Sequence, residues 1–204
     1  MAKIKLTKTE MKAQSDALKR FQRFLPMLQL KKQQLQAEIA AIVARIEEVE
    51  AKGKQAQAER ERWIAIFADG SDALTELVTL KQVVTESSNI AGVTIPVFKN
   101  IITTEPPRDL FSTPAWHDDA AEAITAVLKI KAERLTLEKQ RELITIELNT
   151  TAQRVNLFEK VKIPECKENI RVIKIAIGDE QTASVTRGKI AKNRTRIAAE
   201  EDAA

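Results

Sequence analysis

Near the end of the chain, the stretch IGDEQTASVTRGKIAK at residues 177–192 sets two glycines beside a run of cations. Gly188 is followed at once by Lys189, and Arg187, Lys189, Lys192, Arg194 and Arg196 occur with no acid among residues 181–199. Glycine beside lysine could cradle a phosphate. That chemistry needs a Gly-rich turn after a strand, then Lys and Ser/Thr opening a helix, so that backbone N–H groups surround the anion. Here Lys189 is followed by Ile190, the preceding glycine is ten residues away, and no strand pattern comes before it. The spacing does not make a phosphate loop.

Other reactive residue types are scarce. Carboxylates pair at Glu47/Glu48, Asp118/Asp119 and Glu200/Glu201. A catalytic pair needs a pocket that drives its two pKa values apart, and the surrounding helical pattern offers none, so these read as surface acids and helix caps. One cysteine, Cys166, and one histidine, His117, supply neither a disulfide within the chain nor a Cys/His metal cluster. Cys166 reads as a small apolar or helix-surface residue and His117 as a loop residue. A nucleophile–base arrangement has almost no material. The chain is expected to be no enzyme by itself and to need no cofactor.

Few elements are available to position anything. The 204 residues are 44% hydrophobic and 30% charged, with five glycines, no tyrosine and 4% aromatics. Heavy use of Ala, Glu, Lys, Leu and Arg points to long helices. The basic N-terminus lacks the apolar run of a secretory signal, and no stretch of about 18 apolar residues occurs. A cytoplasmic protein without membrane insertion is expected.

From Leu18, steps of three and four residues pass Phe21, Leu25, Leu28, Lys32, Leu35, Ile39, Ile42, Ile46, Val49, Gly53, Ala56, Arg60, Trp63 and Phe67. That 3.5-residue average is a coiled-coil seam. Thr7 and Glu10 fit a capping box, and Asp69-Gly70-Ser71 a stop. Such a helix would be roughly 87 Å long, a rod rather than part of a globule. Pro26 lies inside it and predicts a kink.

The middle, residues 70–117, turns to Val, Ile and Thr. Strands are predicted near 81–88 and 93–102, turning at Asn89 to Gly92. Pro96 restricts the second strand to an edge. A lone hairpin is unstable, so it should pack on the helices or on a partner. Its contact residues are expected at Val83, Thr85, Asn89, Val93 and Ile95. EPPRDLFSTPAW then reads as an extended connection.

The last segment, 118–204, starts at an Asp118 or Asp119 cap. It continues a poorer seam through Ala123, Val127, Ile130, Arg134, Leu137, Arg141, Ile144, Leu148, Thr151, Val155, Phe158 and Lys162. Other apolar residues lie beside that seam. After Pro164 the phase shifts, and Ile170, Ile173 and Ile177 resume it. The expected fold is mainly α: an antiparallel two-helix coiled coil with a β-hairpin insert, one elongated domain of segments 1–69, 70–117 and 118–204. If Phe67 lies near Ala120, residue n faces about 187 − n, to within about one or two turns. Pro26 then stands near Val161 and Pro164, bending both helices at one level, and Gly178 stands opposite Thr9 with the rest of the tip protruding.

That arrangement separates charge. Residues 1–25 carry seven Lys/Arg and two acids, whereas residues 66–124 carry three Lys/Arg and nine acids. With the basic run at 181–199, one end is basic and the other acidic, which the net +4 hides. Such a field orients partners more than it sets a fold.

Three stretches carry a family resemblance: MAKIKLTKTEMKAQSDALKRFQRFLPMLQLKKQQLQ, NIAGVTIPVFK, and VNLFEKVKIPECKENIRVIKIAIGDEQTASVTRGKIAK. They resemble the D subunit of the V/A-type rotary ATPases and ATP synthases over nearly the whole chain. The last block is the most specific, and it departs from the family pattern only mildly, at Ile177 and Ser184. The resemblance implies a central rotor shaft, peripheral to the membrane. One end would enter a hexamer of catalytic and nucleotide-binding subunits. The other, with a small central-stalk partner, would sit on a membrane-proximal socket joined to the ion-carrying ring. Hexamer contacts are then expected at Gly178, Asp179, Gln181, Thr182, Arg187, Lys189, Lys192 and Arg194. The chain's length resembles bacterial or archaeal members.

Residue patterns alone leave two alternatives open: a holdase chaperone resembling prefoldin, and a basic coiled-coil adaptor for nucleic acid. The basic tip argues against exposed apolar tips of the first kind. No Phe, Trp or Tyr lies in residues 181–199 for base stacking, though phosphate contact alone would not need one.

Overall fold

A computed structural model describes residues 4–61, 77–104 and 116–201. In chain order these form α1 (Lys8–Glu61), β1 (Thr79–Ile90), β2 (Val93–Thr104), α2 (His117–Asn156), a π-helical turn (Leu157–Lys162) and α3 (Ile163–Glu201). The mainly α fold with a central hairpin matches the sequence patterns. Trp63, Phe67, the stop at Asp69-Gly70-Ser71, the Phe67 side of the register anchor and most of the Pro-rich connection lie outside the described residues.

Two compact units result, each drawing on both halves of the chain: residues 31–151, and residues 1–30 with 152–204. In the first, α1, α2 and the hairpin share a core of Leu35, Ile42, Ile46, Val49, Ile95, Leu137 and Ile144. Leu35 and Ile144 are fully buried, each stabilising by about 1.5–3 kcal/mol. The α1 seam is the predicted one: its described members from Leu18 to Ala56 are all buried or half-buried. Ion pairs cross between the helices at Lys31–Glu147 (2.6 Å) and Glu50–Arg134 (3.6 Å). The register departs from the expected one along part of the pair. Glu147 stands nine residues from the expected Asn156, more than two turns away, whereas Arg134 stands three from Leu137, within one turn.

Each hairpin strand is longer than the spacing predicts: β1 by two residues at each end and β2 by two at its far end, so that Asn89 and Ile90 belong to β1 rather than to the turn. The turn has two central residues, Ala91 and Gly92, both with positive φ (51° and 85°). That is the mirror-image turn whose twist suits a hairpin. Asn89 Oδ1 accepts a hydrogen bond from the Gly92 N–H (2.9 Å). Against α2, the hairpin lies on Ala132, Thr136 and Gln140, all buried, a second face spaced i, i+4, i+8. The Gln140 side-chain amide donates to the Pro96 carbonyl. Arg141, expected in the seam, is exposed; its neighbour Gln140 takes the buried position because the hairpin supplies a polar partner. At the start of α2, Ala120 and Ala121 pack against Leu77 and Val78. His117 is the first residue of α2, not a loop residue, so Asp118 and Asp119 fall in its first turn rather than at its cap. There they still favour the positive end of the helix dipole.

In the second unit Thr7 Oγ1 caps α1 by accepting from the Glu10 N–H (3.3 Å). Glu10's carboxylate meets the Gln14 amide (2.9 Å), which leaves the capping box half-formed. Pro26 lies inside α1. The π turn accounts for the seam's change of phase. Spacing of three and four after Phe158 leads to Lys162 and then to residues 165, 169 and 172. Residues 165 and 172 are exposed, whereas Cys166 and Ile173, each one later, are buried, and Ile170 is half-buried beside Asn169. A π turn holds one extra residue, so the slip occurs within Leu157–Lys162. The Ile163 N–H bonds to the Phe158 carbonyl, five residues back, just ahead of Pro164, which has no N–H to offer.

Candidate functional site

In the residues 1–30 and 152–204 unit, Leu6, Thr7 and Lys8 share a shallow cleft of about 380 Å³ with Ile177, Glu180, Gln181 and Ser184. The start of α1 thus lies beside the Gly178 level, as the register expected. Beyond it α3 continues as helix to Glu201, and residues 178–197 are exposed throughout. Gly178, Asp179, Gln181, Thr182, Arg187, Lys189, Lys192 and Arg194 therefore all lie on an exposed helix. Thr182, Thr186 and Thr195 turn their hydroxyls onto their own backbone, donating to the carbonyls of Gly178, Thr182 and Ala191.

Helical geometry distributes the cations of this tip. At about 100° per residue, Arg187 and Arg194 share one side, while Lys189, Lys192 and Arg196 share the opposite one. The positive charge thus surrounds the helix rather than forming one stripe. A Cβ built on Gly178 or Gly188 meets nothing within 4 Å, so neither glycine serves a close contact inside the chain. Neither sits in a loop, which removes the remaining geometric basis for a phosphate cradle.

The hairpin residues divide. Ile95 is 2% exposed and belongs to the core, and Val93 packs partly against that core. Asn89 shapes the turn. Val83 and Thr85 line an open groove beside α2. Pro26 and Pro164 do not share a level. Phe21 meets Phe158 with ring centroids 5.0 Å apart, whereas the spacing had placed Cys166 opposite Phe21. Pro26 lies five residues beyond Phe21 and Pro164 six beyond Phe158. On antiparallel helices they lie on opposite sides of the aromatic pair, roughly 16 Å apart along the axis.

Cys166 is buried at the seam, a placement the sequence left open because the π slip could not be located from spacing. Desolvation by burial, with the Glu165 carboxylate beside it, raises its thiol pKa, so it resists forming the thiolate. Glu168 and Arg171 form an exposed two-bond pair (2.9 and 2.6 Å). The hydrogen bonds from Arg171 hold the Glu168 carboxyl below its ordinary range. His117 stacks on Trp116 (centroids 6.4 Å). Among the described residues no three His, Cys, Asp or Glu gather as metal ligands would, and no helix is long and apolar enough to cross a membrane.

Long paired helices, a packed hairpin and an exposed basic helix define a protein whose surfaces suit assembly with other chains. The chain belongs to the ATP synthase D-subunit family, whose model matches residues 10–193. It is 45% identical over 193 residues to the V-type ATP synthase D subunit of Borreliella burgdorferi, covering 95% of both chains. The protein of the same name from Chlamydia abortus is 34% identical over 208 residues, covering 98% of this chain and 97% of its own. That from Chlamydia trachomatis serovar L2 is 30% identical over 195 residues, covering 95% and 96%.

Proposed function

We infer that this chain is the central-stalk rotor component of a V/A-type ATPase or ATP synthase, a non-catalytic part of a multi-subunit, membrane-associated complex. The observation that carries the reading is similarity to a V-type ATP synthase D subunit along nearly the full length of both chains. The exposed, all-round basic helix after Gly178 supports a role for that end inside the catalytic hexamer. A shaft that turns must meet several subunits in succession, and charge on opposite sides serves that better than one adhesive apolar face. Contacts of this kind orient a partner without binding it tightly. The hairpin end would then face the small central-stalk partner and the membrane-proximal socket, with the chain on the cytoplasmic side and peripheral to the membrane. Torque passes along paired helices whose seam resists relative sliding. The relatives' names support neither a holdase nor a nucleic-acid adaptor.

Reconstitution tests the proposal. Complexes assembled with the chain should couple ATP hydrolysis to ion movement, and complexes lacking it should not. Coupling that persists without the chain would overturn the rotor reading.

A further inference from the structure

We propose that the groove between β1 and α2 is a docking site for an amphipathic helix of another subunit, one whose apolar stripe is flanked by acidic side chains. This goes beyond the rotor reading and requires only that the chain sits in a multi-subunit complex. The groove has a volume of about 440 Å³ and lies between Leu80 and Val83 of the hairpin and Leu128 and Leu135 of α2. Leu135 is 52% exposed and Leu80 40%. On α2, Leu128, Ala132 and Leu135 follow i, i+4, i+7 spacing. They form an apolar stripe separate from the Ile130, Leu137, Ile144 seam that faces α1. The hairpin covers the Ala132 side of that stripe, where Gln140 holds the Pro96 carbonyl, and Leu128 is half-buried against the cluster of Leu77 and Val78. Leu135 on the other flank is left exposed.

Charge specifies the occupant. Among the described residues, the charged ones lining the groove are Lys131 and Lys139, with no carboxylate. Lys139 also pairs with Glu142 at 2.6 Å, but both side chains are more than half exposed, so exchanging that pair for a partner's carboxylate costs little. The cleft on the other side of the hairpin is different. Arg45 and Lys52 there are mixed with Glu38, Glu48 and Glu133, which selects neither sign.

Backbone geometry selects a helix over a strand. Each hairpin strand carries a bulge, and the extra residue is a lysine in both cases: Lys81 in β1 and Lys99 in β2. Pro96 removes a donor from β2. Bulges, lysines and proline are the devices that keep an open sheet edge from adding a strand. A helix laid into an apolar groove needs no edge hydrogen bonds and reads the groove through i, i+3, i+4 side chains.

The test uses the intact complex purified from cells. A photoreactive benzoylphenylalanine replaces Leu135, with Arg141 on another face of α2 as the control position, and crosslinked peptides are identified by mass spectrometry. The expected product joins Leu135, and not Arg141, to one acid-flanked amphipathic helix of another subunit. Crosslinks to this chain's own residues, to a second copy, or to a segment without flanking acids would overturn the proposal, as would a yield no higher than the control. The double variant Lys131→Glu/Lys139→Glu should lower that crosslink by about tenfold, while Lys131→Arg/Lys139→Arg keeps it. An unchanged yield on charge reversal, with unaltered helicity, would remove the acidic specification. None of these outcomes bears on whether ATP hydrolysis is coupled to ion movement.

Discussion

Phe21 of α1 and Phe158 of the π turn meet with ring centroids 5.0 Å apart and planes inclined at 46°. This contact joins the straightforward helix of the unit to the irregular one. Phe158 also supplies the carbonyl that accepts the Ile163 N–H five residues on. One residue therefore fixes both the aromatic contact and the geometry of the turn. Tilted aromatic pairs contribute about 0.5–1.5 kcal/mol beyond the area they bury. A double-mutant cycle of Phe21→Ala and Phe158→Ala, read by denaturant unfolding, should give a coupling energy of about 1 kcal/mol. Additive losses would mean that the rings only cover surface.

The extra residue of the π turn predicts an asymmetry between two deletions. Removing exposed Glu159 restores unbroken spacing of three and four from Phe158 to Ile177, so the seam stays in phase. That variant should fold with unchanged or higher thermal stability and a regular helix in place of the turn. Removing exposed Lys167 instead rotates Ile170, Ile173 and Ile177 off the seam. Ile173 is fully buried, so this deletion should cost at least about 3 kcal/mol. Circular dichroism melts of the two variants compare them directly.

Gln140→Ala should loosen the hairpin while leaving the helix pair folded. The substitution removes the donor to the Pro96 carbonyl and should cost about 1–2 kcal/mol. The loss should appear as faster amide exchange in β1 and β2, with protection along α1 little changed.

Ala91 holds a positive φ of 51°, where a side chain with a Cβ is strained and Asn is favoured. Ala91→Asn should raise stability by about 0.5–1 kcal/mol. The midpoint of thermal unfolding checks this.

Cys166 makes stability depend on alkaline pH. Burial raises its folded-state pKa above the ordinary value of 9.0. The folded chain therefore keeps its thiol proton where the unfolded chain has lost it, and stability falls as pH rises from the ordinary thiol range through the folded value. Cys166→Ala should remove that part of the slope. Chemical denaturation of both proteins between neutral pH and pH 10 measures the difference.

Charge reversal of Arg187, Lys189 and Lys192 should slow ATP turnover in the assembled complex more than it destabilises the chain, because these side chains lie on an exposed helix. Conversely, Gly178→Ala and Gly188→Ala should each stabilise α3 by up to about 1 kcal/mol, since an added Cβ meets nothing within 4 Å. If either glycine variant impairs coupling, a neighbouring subunit approaches the helix there. Turnover and helicity measured on the same preparations separate the two effects.

The sequence by itself determined the elements whose signal is periodic. The α1 seam could be read residue by residue from Leu18 to Ala56, because one apolar stripe faces one partner helix. The hairpin was legible from β-branched residues around a Gly-containing turn, and the basic tip from composition. The tertiary structure decided what depends on how elements meet. Gln140 is buried and Arg141 exposed because the hairpin, far away in sequence, offers the Pro96 carbonyl as a partner. Ile95 leaves the candidate contact surface because the hairpin turns it into the core between α1 and α2. The register shifted because side-chain packing, not the count of residues from a turn, sets which positions face each other. The π turn then placed Cys166 and Ile173 at the seam, since an extra residue absorbed in one turn rotates everything after it by about 100°.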